Sequence, residues 1–120
     1  MKHLKDLFLH MHWADATVWD TVLVTPAASE DTRVLDLFYH IHSVQRAFMA
    51  VWTSTPIAMP KREQFVSPRQ IADWGRTYHT EVLAMWAGFD TDRLGLSLAV
   101  PWSRLMEQRY GRKPESTSME

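Results

Sequence analysis

The sequence predicts an all-α protein, an antiparallel helical bundle of three long helices plus a short extended segment. Three observations carry that expectation. Apolar residues recur at 3.6-residue spacing in three successive segments, Pro or Gly punctuation closes each segment, and a period of two replaces the helical period only near residue 94. A chain of 120 residues makes one domain, 1–120, with enough length to bury a real core.

The first helix is expected over Lys2–Leu23. Leu4, Phe8, Met11, Asp15, Val18 and Val22 fall on one line, with a carboxylate in its middle that needs a partner. Thr25-Pro26 ends it, because a residue preceding Pro avoids helical angles. The second helix starts among Ser29–Thr32, a cluster of N-capping residues and acids, and runs to about Trp52. Its line is Val34, Phe38, Ile41, Gln45, Phe48 and Trp52, flanked by Leu37 and Val44. A loop punctuated by Pro56 and Pro60 follows. Ser67-Pro68-Arg69-Gln70 then opens the third helix with a Ser cap, Pro in the first turn and Gln three residues after the cap. Its core line is Ile71, Trp74, Tyr78, Val82, Met85 and Phe89. Beyond it, Leu94, Leu96, Leu98, Val100 and Trp102 alternate with small residues, a strand-like pattern stopped by Pro101, and a turn is expected at Tyr110-Gly111. Thr117-Ser118-Met119-Glu120 is a capping box, so the bundle is expected to be incomplete at its C-terminus, with a fourth helix absent or supplied elsewhere.

Composition narrows the function classes. A net charge of −1, from 13 basic and 14 acidic residues mixed along the chain, builds no phosphate-binding stripe, so nucleic acid is not an expected partner. With no Cys, disulfides, thiol nucleophiles and Cys-based zinc sites are excluded, and a reducing, cytoplasmic setting fits. No apolar run resembles a membrane span or a signal peptide. Six Trp and seven Met supply either core filling or the lining of an apolar pocket.

Six His remain for chemistry: His3, His10, His12, His40, His42 and His79. Residues two apart on a helix point about 200° apart, so neither His10/His12 nor His40/His42 can share a metal. No HExxH and no i, i+4 His pair is present, so a His site has to gather residues from different helices. On the helical wheel His12, His40, His42 and His79 lie at borders of apolar stripes, where partial exposure is expected. Asp15 is expected to hydrogen-bond across the core, to Tyr78, Gln45 or an indole N–H. Glu81 reads as a boundary ion pair rather than an acid/base residue. There is no GxSxG, no Gly-rich phosphate loop and no Ser-His-acid order.

The segment Leu37-Phe38-Tyr39-His40-Ile41-His42-Ser43-Val44-Gln45-Arg46-Ala47-Phe48 resembles the second helix of the DinB/YfiT-like family, in which an apolar run precedes a His, with an acid or amide five residues later and an aromatic eight later. His40, Gln45 and Phe48 fill those places, and His12-Trp13-Ala14-Asp15 is similar to the family's Trp-Ala-Asn element with Asp in the Asn position. The resemblance implies a DinB-like four-helix bundle of up-down-down-up character and a divalent metal, nickel or zinc, held by three His. His40 matches the one on the second helix, and the other two form an HxxxH pair on the fourth. His12, Asp15 and His42 are the further metal candidates within the chain, His79 a possible local recruit. The catalytic residues are unknown.

Two functions follow as expectations. One is a metal-binding protein that, when complete, acts as a metal-dependent thiol S-transferase or hydrolase on a small thiol or other small molecule. The alternative is a non-catalytic helical interaction module that dimerises or takes a partner helix to complete its bundle, with a homodimer the expected assembly.

Overall fold

The computed structural model describes residues 2–96 and 98–111. The capping box expected at Thr117–Glu120 lies outside them. Helix α1 spans Lys2–Val24, the single-turn α2 spans Pro26–Ser29, α3 spans Thr32–Thr53, α4 spans Pro68–Ala87, and a short α5 spans Ser103–Tyr110. The starts follow from local chemistry. The Asp31 side chain accepts from the Arg33 backbone N–H at the head of α3, and Ser67 accepts from Gln70 N–H at the head of α4 with Pro68 in the first turn. Helix α3 ends where Ser54 turns into the left-handed region, φ 54°.

The long helices do not alternate in direction as expected. Along α3, Tyr39 stacks on Trp74, Arg46 pairs with Glu81, and Trp52 sits with Trp86 around Phe8, so the α4 partners advance in step and the two helices run parallel. Against α3, α1 runs backwards: Trp19 meets His42, Asp15 meets Gln45, and Phe8 meets Trp52. The frame is therefore up-down-down. The reason is the connection from Ser54 to Ser67, which reaches about 46 Å when extended, more than the ~33 Å rise of α3. It returns along α3 instead of turning tightly: Tyr39 Oη donates to Pro60 O (2.8 Å), Arg62 pairs with Asp36 (2.8 Å), and Phe65 packs on Tyr39 and Trp74.

The strand-like segment is also corrected. Among the described residues there is no strand; a 3-10 turn at Thr91–Arg93 leads through irregular chain into α5, over residues the sequence left without a helix. A lone extended segment has no edge to pair with in an all-helical frame. Its apolar residues pack on helices instead, Leu94 and Leu98 against the Tyr78/Val82/Trp86 cluster and Trp102 edge-on to Phe48 at 5.1 Å. No described helix is long and apolar enough to cross a membrane.

The core has two apolar clusters. Trp19, Val22, Phe38, Ile71 and Ala72 form one, and Tyr78, Val82 and Trp86 form the other. The expected line of α1 is rotated slightly, with Trp19 fully buried and Val18 half exposed. Helix α4 approaches both neighbours closely, while α1 and α3 stand apart on the side away from it. All three helices come close at Gly75, where an added Cβ would lie 2.5 Å from His42 Nε2 and 2.6 Å from the Trp19 indole.

Mid-helix Gly normally costs about 1 kcal/mol relative to Ala, so Gly75→Ala would stabilise an unconstrained helix. Here it is expected to destabilise by roughly 1–3 kcal/mol through overpacking, whereas Gly88→Ala, with open space around its position, changes little. Thermal melts of the two variants, compared by sign, check this.

Candidate functional site

Between the two apolar clusters lies a polar layer built from all three long helices. Its members are Asp15 and Trp19 from α1, His42 and Gln45 from α3, and His79 from α4. Asp15 and Trp19 are four residues apart and so share a face of α1; His42 and Gln45 do the same on α3 at three residues.

The hydrogen bonds fix one direction through the layer. Trp19 Nε1–H can only donate, so His42 Nε2, 2.8 Å away, must accept. The His42 proton therefore sits on Nδ1 and is donated to Gln45 Oε1 at 2.9 Å. With its oxygen accepting, the Gln45 amide turns its Nε2 to Asp15 Oδ2 at 2.8 Å. His79 Nε2 reaches the same oxygen from the other side at 2.7 Å. Donors from α3 and α4 thus converge on one carboxylate oxygen of α1. His79 Nδ1 is buried without a partner among the described residues. The His12 ring stacks on the His79 ring, centroids 4.6 Å apart and 14° from parallel.

The electrostatics follow. Burial alone would raise the Asp15 carboxyl, but hydrogen bonds from His79 and Gln45 outweigh it and hold the group below the ordinary carboxylate range. Burial pushes the His42 imidazole down, only partly offset by its bond to Gln45 and by Asp15. His12 is lowered by burial and then by its neighbour His79. The Tyr78 hydroxyl is pushed up, first by burial and then by the Asp15 charge.

Beside this layer, α1 and α3 leave an open groove of about 350 Å³. Leu7, Phe8 and Met11 line it from α1, Val44, Gln45, Phe48 and Trp52 from α3, and Tyr78 from α4. The Trp- and Met-bearing interior is thus partly filled core and partly an apolar hollow.

The sequence candidates are placed as follows. Asp15 and His42 join the layer, and the Asp15–Gln45 bond is the cross-core contact expected for a carboxylate in an apolar line. His42 and His79 are each 1 % exposed, so the partial exposure expected at their wheel positions is corrected: the layer, rather than solvent, satisfies them. His12 is half-buried against His79, and His40 is exposed. Helical spacing sets His40 on the same outer face as Leu37, Ile41 and Val44, all exposed and apolar. Among the described residues no group of three or more His, Asp or Glu side chains is placed to hold a metal ion. Glu81 forms its ion pair with Arg46 at 3.3 Å. The sequence reading missed Trp19 and underweighted His79. The available signal was Gly75: a glycine inside an apolar helical pattern marks close backbone approach, and it lies one turn before His79.

The protonation pattern gives stability a definite pH dependence. His42 and His12 have folded pKa values below their unfolded ones, so their contribution is complete above about pH 6.5 and declines as pH falls through that point. Asp15, also lowered, adds a further loss as pH falls below the ordinary carboxylate range, about 4. Unfolding free energy from urea titrations is expected to be flat from pH 8 to about pH 7 and to fall from there to pH 5, by at most about 1.4 kcal/mol per pH unit for each proton taken up, and His42→Gln should flatten that slope.

No family model, curated protein or solved structure matches this chain.

Proposed function

We propose that this chain is the up-down-down part of a DinB-like bundle that binds a divalent metal, nickel or zinc, at the lip of the α1–α3 groove. His40 is the donor from this chain, and a further helix seated in the groove supplies the others. The observation that carries the reading is the groove itself. Three helices in this order leave one long seam open, and the seam is apolar, with Leu7 63 % and Val44 40 % exposed. Left to water, such a surface is costly. The parallel α3–α4 pair joined by a crossover and the His40, Gln45 and Phe48 spacing support the same reading.

The described residues do not by themselves fit a closed metal site, since they bring no three donors together. One imidazole holds a metal weakly, so what this chain contributes is a donor and a docking face. In the completed bundle the reading extends to a metal-dependent thiol S-transferase or hydrolase. The exposed seam also favours the second reading, a non-catalytic module that completes its bundle with a partner helix.

Nickel or zinc titrated into the full chain is expected to bind weakly, with affinity reduced about tenfold or more in His40→Ala, a loss of one ligand. His40 is exposed, so that variant should melt with the wild type. Calorimetry with a circular-dichroism melt on the same samples reads both. Equal metal affinity without His40 would remove it from the site.

A further inference from the structure

We draw no further inference here: the strongest candidate, the apolar groove between α1 and α3 lined by Leu7, Phe8, Met11, Val44, Phe48 and Trp52, is an unpartnered face, and nothing in the structure shows what covers it.

Discussion

The constraint on which the rest depends is the satisfaction of Asp15. A carboxylate in the middle of an apolar helical line has to find donors inside the protein or give up its charge. It finds one from each neighbouring helix, Gln45 of α3 and His79 of α4, on a single oxygen. Gln45 can donate there only because its oxygen is occupied by His42, and His42 is oriented only because Trp19 donates to its other ring nitrogen. Since Trp19 belongs to the same helix as Asp15, the chain of donors leaves α1 and returns to it. A shift of one helix by a turn relative to the other two would break several of these bonds at once. The layer therefore fixes register in a way the two apolar clusters, being non-directional, do not.

How much of this was legible from sequence depends on the range of the signal. The three long helices were legible because their signals are local: an apolar stripe, a Ser67-Pro68 start, a Pro26 stop. That Asp15 needs a cross-core partner was legible for the same reason, and Gln45 stood on the facing stripe. The parallel course of α3 and α4 was not. A long loop permits either a tight return with slack or a full crossover, and the choice is made by Pro60, Arg62 and Phe65 docking back along α3. The alternation over Leu94–Trp102 misled because period two identifies a strand only where another strand is there to pair, and the described residues supply helices. His42 and His79 were read as border residues because a wheel shows which side of a helix a residue takes. It does not show that a glycine on the neighbouring helix lets an imidazole sink to 1 % exposure.

Topology also accounts for where the surface is left unfinished. In an up-down-down arrangement α4 packs against both other helices, and the third seam, α1 against α3, stays open. The residues along it are apolar on both sides, which is unusual for a surface meant for water. His40 lies on the outer face of the same stretch of α3. The His40 imidazole and the apolar side chains of Leu37, Ile41 and Val44 are therefore neighbours on one exposed surface of α3.

The polar layer is also an inefficient way to hold three helices together. Replacing hydrogen-bonded buried groups by well-packed apolar ones of like shape is often neutral or stabilising, because desolvation offsets most of what the bonds contribute. Stability alone does not call for a glycine that makes room for His42. The apolar clusters on either side already supply the burial that drives folding. What the layer adds is a charge of known position and a unique orientation for every donor around it, held by all three long helices beside the one seam they leave open. Its contribution is a single register for the three helices, a directional constraint that apolar burial alone does not impose.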